Sequence, residues 1–202
     1  MRTGIIGGTF NPIHNGHLYM AFEAKESLNL DKMIIVPNFL PPHKVTEDRD
    51  PEDALNMLNL VFQGNDDFII STYELEKKGL SYTYETLEYF TKIRPDDEFY
   101  FIIGEDSYVN FSAWKNPERI LELVKLVVFE RKSYGEEEKA KAHEFIAIQG
   151  HEEILLDSLI MEISSSDIRS RVMSGKEIGF LVPKEIKEYI MEKGLYRDEN
   201  VD

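Results

Sequence analysis

Residues 4–17 read GIIGGTFNPIHNGH. An apolar run, Gly4 to Ile6, meets a glycine pair at Gly7 and Gly8, and beyond His17 the residues Leu18, Ala21, Phe22 and Leu28 line one helical face. The stretch is a strand, a glycine turn and a helix. Working outward, the same alternation recurs. Met33 to Val36, Phe68 to Ser71, Phe99 to Ile103 and Leu126 to Phe129 read as further strands, apolar throughout instead of alternating in polarity. Such runs suit a parallel sheet buried on both faces. Helical faces fall between them, on Ala54, Leu55, Leu58, Val61 and Phe62, and on Thr83, Leu87 and Phe90. Strand and helix in alternation predict an α/β fold with a doubly wound parallel sheet.

After Arg131 the pattern changes. Gly135 to Phe145 reads as a charged helix, Ile154 to Leu156 as a short strand and Ser166 to Met173 as a helix, and a last helix opens at Pro183 and closes at Gly194. No repeat, low-complexity tract or Gly/Ser/Pro-rich linker marks a boundary. The expectation is one domain over residues 1–202, with a core of about 1–131 and a small helical C-terminal part of about 151–196. Ser133 to Gly150 carries no motif.

Of the 202 residues, 42% are hydrophobic and 11% aromatic, enough for one sizeable core. The formal net charge of −15 repels a polyanion, which argues against a nucleic-acid partner. Cysteine is absent, so disulfides, thiolate metal sites and a cysteine nucleophile are excluded. The first residues hold no charged-then-apolar leader and no apolar run reaches membrane-spanning length, which predicts a cytoplasmic protein without a membrane partner.

The glycine turn lies at the carboxyl end of a parallel strand, where open α/β sheets bind ligands. Paired glycines let backbone N–H groups approach closely, and a helix starting near Gly16 offers donors and partial positive charge to phosphate. Neither a dinucleotide fingerprint nor a P-loop is present. His14 and His17 are three apart, so in a helical turn they share a face, separated along the axis by about 4.5 Å. Two imidazoles aimed at a phosphate would stabilise the charge of an in-line displacement. The plainer alternatives are a tight connection with two surface histidines and a metal pair. The latter lacks a third histidine or carboxylates at ligand spacing.

The run GGTFNPIHNGH resembles the HxGH signature of the nucleotidylyltransferase superfamily, and its TFNP form is similar to the nicotinate-nucleotide adenylyltransferase branch. Phosphopantetheine adenylyltransferases and cytidylyltransferases usually carry FDP or FD there, so Asn11 is the distinguishing residue.

Other segments extend the resemblance. In ISSSDIR, Ile163 to Arg169, a serine or Asp167 can cap a helix, and Arg169 in its first turn can hold an anion with two directed bonds. It resembles the family's ISSTxIR, with Ser166 for threonine. PNFLPPHK, Pro37 to Lys44, resembles a proline-stiffened loop that brings a basic residue to phosphate. Ser81 to Thr83, Gly104 to Asp106 and Trp114 resemble the SYTxxTL, GxDSL and tryptophan regions, with Tyr108 in place of leucine and Lys115 after Trp114. Asp106 either bonds a ribose or caps the short helix after it; Trp114 either stacks on a flat ring or anchors the rim. Ala54 stands where relatives commonly carry arginine, and LVPKEIKEYIMEKGLY looks like the closing helix.

The resemblance implies a Rossmann-like fold whose C-terminal part completes an ATP site. It implies transfer of AMP from ATP to nicotinate mononucleotide, giving deamido-NAD and pyrophosphate in NAD biosynthesis, with Mg²⁺ accompanying ATP. The implied catalytic residues are His14, His17, Lys44 and Arg169. ATP would meet Gly7, Gly8, Thr9, Phe10, His14, His17, Gly104, Asp106, Ser165, Ser166 and Arg169. Nicotinate mononucleotide would meet Asn11, Lys44, Thr83, Trp114 and Lys115. Whether the chain forms a homo-oligomer is left open. One alternative is a related enzyme using nicotinamide mononucleotide or phosphopantetheine. Another is a silent nucleotide-binding module, which would not need two histidines, Lys44 and Arg169 together.

Overall fold

At Gly4 a Cβ would lie 2.3 Å from Met33 Sδ and 2.8 Å from Leu30 Cδ1, so a side chain there would force both neighbours to shift. That close approach belongs to the middle of the sheet. A computed structural model describes residues 1–40, 50–130, 134–157, 159 and 162–197. Among them six strands, β1 (Arg2–Gly8), β2 (Lys32–Pro37), β3 (Phe68–Ile70), β4 (Glu98–Gly104), β5 (Lys125–Glu130) and β6 (Ile154–Asp157), form one sheet of order β3-β2-β1-β4-β5-β6. Every pairing is parallel. This is the Rossmann strand order, and its direction reverses between β1 and β4.

The helices are α1 (Asn15–Ser27), α2 (Pro51–Phe62), α3 (Tyr73–Lys77), α4 (Thr83–Ile93), α5 (Glu105–Val109), α6 (Pro117–Leu123), α7 (Glu136–Ile148), α8 (Ser165–Met173) and α9 (Lys184–Lys193). They cover both faces, which explains the unbroken apolar runs. Successive strand residues feed opposite cores. Ile6, Ile35, Tyr100, Ile102, Val127 and Phe129 pack with α1, α2, α8 and α9. Ile5, Ile34, Phe101, Ile103, Leu126 and Val128 pack with α4, α5, α6 and α7. Each fully buried aliphatic side chain removes enough area from water to contribute about 1.5–3 kcal/mol.

The expected strands and longer helices are all present. The C-terminal part contributes more than helices: β6 pairs with β5 from Val127↔Ile154 to Glu130↔Asp157 and extends the sheet. Local chemistry sets the ends. Asp50 accepts from Glu52 N at 2.9 Å to cap α2, with Pro51 in its first turn. Glu138 accepts from Gly135 N at 2.9 Å at the start of α7. Among the described residues no helix is long and apolar enough to cross a membrane.

Candidate active site

Because β1 and β4 send their connections in opposite directions, a cleft of about 1110 Å³ opens at their carboxyl ends. Gly7, Gly8, Thr9 and Gly104 line its floor at the ends of these strands. Phe10 does not line it. With φ of 44° the chain turns there, and the ring lies buried in the core, edge-on to His17 at 5.0 Å. Its side chain therefore supports the turn from below.

His14 is the N-cap of α1, with φ −147° and ψ 170°, so it stands outside the helix. The juxtaposition with His17 consequently comes from the cap, not from the helical phase assumed in the sequence reading. His14 Nδ1 accepts from His17 N at 3.4 Å, and the two rings stack at 3.7 Å with an interplanar angle of 22°. Gly16 makes room: a Cβ there would lie 3.1 Å from His14 Nδ1 and 3.2 Å from its Cε1. His14 is buried, His17 half-buried, and both line the cleft.

The start of α1 offers fewer free donors than expected. Asn15 N donates to Leu181 O at 2.9 Å, and His17 N donates to His14 O at 2.9 Å. The first turn of α8 is more open. Ser164 caps it, its Oγ accepting from Asp167 N at 3.0 Å, while the N–H groups of Ser165 and Ser166 have no acceptor among the described residues. Both residues line the cleft.

The two motifs are stitched together across the first loop. Ser165 Oγ donates to Pro12 O at 2.9 Å, and Arg169 Nη1 donates to Asn11 O at 2.8 Å. The Ser165 hydroxyl is thus committed to the loop, leaving its N–H for an anion. Arg169 Nη2 lies 3.3 Å from Ser166 Oγ, and the guanidinium retains further donors facing the cleft it lines.

The far side of the cleft is built from α4, α5 and the segment after α5. Thr83 begins α4, whose N-cap residue Tyr82 makes no side-chain cap bond; Thr83 N–H has no acceptor among the described residues. Asp106 is exposed in the first turn of α5 and lines the cleft, while Gly104 takes the N-cap position. The capping role for Asp106 is therefore not the one seen. Trp114 is half-buried at the rim, 5.5 Å from Phe111 and 6.1 Å from Phe101 between ring centroids, and Lys115 beside it is exposed.

Lys44 lies outside the described residues, as do Pro41, Pro42 and His43. Ala54 is buried in the core of α2 and does not line the cleft. Among the described residues the cations lining the cleft are Lys115, Arg169 and Arg197. Sequence reasoning missed two features. Glu74 is buried, its Oε2 accepting from Asn38 Nδ2 at 2.9 Å and its Oε1 from Thr86 Oγ1 at 2.6 Å. Helix α3, which carries it, has only five residues and so no periodicity to read. The second is Tyr196, whose hydroxyl donates to Asn11 Oδ1 at 2.6 Å. Only its place after the closing glycine hinted at a return towards the site.

A family model described as cytidylyltransferase-like matches residues 5–171. A relative named "Probable nicotinate-nucleotide adenylyltransferase" from Clostridium botulinum (strain Alaska E43 / Type E3) is 45% identical, covering 98% of this chain and 99% of its own. One of the same name from Clostridium novyi (strain NT) is 39% identical over 97% of this chain and 99% of its own. Among solved structures, the nicotinic acid mononucleotide adenylyltransferase of Plasmodium falciparum complexed with NaAD superposes with a TM-score of 0.77. That superposition covers 96% of this chain and 97% of the other at 20% identity, a likeness of fold. With its paired histidines, its capped arginine helix and relatives matched from end to end, the chain belongs to the cytidylyltransferase-like family, among the nicotinate-nucleotide adenylyltransferases.

Proposed function

We propose that the chain transfers the adenylyl group of ATP to nicotinate mononucleotide, releasing pyrophosphate and forming deamido-NAD, a step of NAD biosynthesis in the cytoplasm. The observation that carries this reading is the stacked pair of His14 and His17, lining one cleft with Ser165, Ser166 and Arg169, two of which bond the loop before His14. An adenylyl transfer needs donors on the α-phosphate and separate donors on the departing β- and γ-phosphates. The cleft offers both.

The acceptor's phosphate is ionised near neutral pH, so it attacks the α-phosphorus without a protein nucleophile. A new O–P bond forms as the bond to the bridging oxygen breaks, and pyrophosphate carries away the electron pair. His14 and His17 bind the α-phosphate oxygens as charge builds. The N–H groups of Ser165 and Ser166 and the Arg169 guanidinium hold the leaving group. Gly7, Gly8 and Thr9 bring backbone close to the nucleotide, and Asp106 accepts from its ribose. Lys44 would join the phosphates from the loop after β2. Asn11 addresses the acceptor, whose ring lies against Trp114 with its carboxylate at the N–H donors around Thr83 and Lys115.

Among the described residues no group of three or more His, Asp or Glu could hold a metal ion. A Mg²⁺ accompanying ATP would supply charge neutralisation to the triphosphate, beside Arg169 and the N–H groups of Ser165 and Ser166. The C-terminal part, which supplies α8 and Tyr196, acts with the core as one nucleotidyltransferase unit.

The test is incubation of the purified chain with ATP, Mg²⁺ and each of nicotinate mononucleotide, nicotinamide mononucleotide and phosphopantetheine, with chromatography of products and pyrophosphate detection. Deamido-NAD with stoichiometric pyrophosphate is expected. ATP binding without turnover of any acceptor would favour a silent nucleotide-binding module and overturn the proposal.

A further inference from the structure

Asn11 is gripped from two sides. Its main-chain carbonyl accepts from Arg169 Nη1 at 2.8 Å, and its side-chain Oδ1 accepts from the Tyr196 hydroxyl at 2.6 Å. The second contact spans 185 positions of the chain, joining the loop after β1 to the segment after α9. That segment is shaped to make it. Gly194 closes α9 with φ of 66°, Leu195 N donates back to Ile190 O at 3.0 Å, and Tyr196 itself takes φ of 60°. A non-glycine residue in the left-handed region is held there by its surroundings, and such residues cluster at functional sites. Gly194, Leu195, Tyr196 and Arg197 all line the cleft.

We infer that Tyr196 is a positioning residue for the acceptor, acting through Asn11. The inference rests on the reading of the cleft as an adenylyltransferase site. An asparagine amide has an oxygen that repels a phosphate oxygen and an NH₂ group that binds one. A freely rotating amide presents either. With Oδ1 occupied by the Tyr196 hydroxyl, the NH₂ group is the end left for the cleft that Asn11 lines. The acceptor brings an anionic phosphate, and the arrangement in which the Tyr196 hydroxyl donates to Oδ1 is the one whose polarity welcomes it. Arg169 holds the same residue's backbone, which makes Asn11 the point where leaving-group and acceptor subsites meet.

A double-mutant cycle tests this on the full-length protein, with Tyr196→Phe, Asn11→Ala and the double variant. Losing one directed hydrogen bond typically changes an equilibrium several-fold to about tenfold. Tyr196→Phe is therefore expected to lower kcat/KM for nicotinate mononucleotide about tenfold, to leave KM for ATP within twofold, and to melt like wild type. In the Asn11→Ala background the same change should matter less than twofold, a coupling that a purely structural tyrosine would not give. Asn11→Asp keeps an acceptor for Tyr196 and removes the NH₂ donor, and it should lose at least as much acceptor efficiency as Asn11→Ala. Acceptor efficiency of Tyr196→Phe or Asn11→Asp within twofold of wild type overturns the inference, and so does an undiminished effect in the Asn11→Ala background. If wild type makes no deamido-NAD, the adenylyltransferase reading fails with it; an active wild type with an indifferent Tyr196→Phe sinks this inference alone.

Discussion

His14 owes its position to the residue two places after it. The imidazole is held between His17, stacked at 3.7 Å, and the bare backbone of Gly16, where a Cβ would approach it to 3.1 Å. A methyl group at position 16 would make the ring give by a few tenths of an ångström, shifting it against its stacked partner. We expect Gly16→Ala to lower kcat about tenfold to a hundredfold, as small misplacements of positioned groups do, with little change in melting temperature. His17→Ala removes a donor whose bond strengthens only as charge develops, and should lower kcat by about 10² to 10³ with KM for ATP nearly unchanged. Steady-state kinetics on folded variants decide both, and near-normal kcat in His17→Ala would remove the histidines from the mechanism. The histidines were legible from their place in the turn after β1, whereas the way they meet, a cap residue against the first turn, was not. The inward turn of Phe10 and the buried carboxylate of Glu74 depend on partners distant in sequence, and no local pattern announces them.

At the level of elements, the proposed selectivity rests on a helix start and the scaffold on helix packing. Thr83 at the start of α4 offers an N–H without an acceptor among the described residues, in a cleft shared with Trp114. Such a donor suits a carboxylate, whereas an amide would set its NH₂ against it. Nicotinate mononucleotide should accordingly exceed nicotinamide mononucleotide in kcat/KM by tenfold to about a hundredfold. Equal use of the two would refute the assignment, and a preference unchanged in Lys115→Gln would assign it to the backbone alone. The region without a motif also finds a purpose. Helix α7 braces α5: Lys139 Nζ lies 3.9 Å from the fully buried Glu105, the buried Tyr108 donates to Glu153 at 2.5 Å, and His143 Nδ1 meets the same carboxylate at 2.8 Å. The hydrogen bond to Glu153, helped by its charge, raises the pKa of His143 above the ordinary 6.5. Burial pushes Glu153 up, but the bonds from Tyr108 and His143 outweigh it and hold the carboxyl below its ordinary 4.5. A raised histidine stabilises the fold below its unfolded pKa, and that contribution fades as pH rises through the folded value. A lowered carboxyl contributes above its unfolded pKa and fades as pH falls. The pair therefore works between about 4.5 and 6.5, and the melting temperature should decline from pH 6.5 to 8.5 more in wild type than in His143→Gln. Parallel pH profiles would show that the pair adds nothing. Charge runs in residues 133–150 gave no hint of this, since they read equally as a solvated face.

For the whole molecule, the sheet was legible because burial on both faces leaves strands apolar throughout, and the helices between them fix parallel connections. Strand order was not legible, since periodicity says nothing about neighbours. Nor does composition reveal how firmly the last fifty residues belong to the rest. Here the packing gives an answer. Ile168, Val172, Ile178, Val182, Ile186 and Ile190 are all buried, and all lie in the same cluster as Ala21, Met57 and Leu58 of α1 and α2. At about 1.5–3 kcal/mol each, these six residues contribute on the order of 9–18 kcal/mol of burial. Part of it is offset by the entropy of ordering the segment, yet removing the segment also uncovers the apolar faces of α1 and α2. The chain ending at residue 150 would further lack β6 and leave β5 as an open edge. The full chain is therefore expected to unfold in one cooperative transition, with far-ultraviolet and near-ultraviolet circular dichroism coinciding in denaturant. Residues 1–150 expressed alone should show no such transition and should aggregate. A soluble 1–150 fragment with native near-ultraviolet dichroism and a sharp melt would instead make the C-terminal part a separable appendage, added to a core that folds without it.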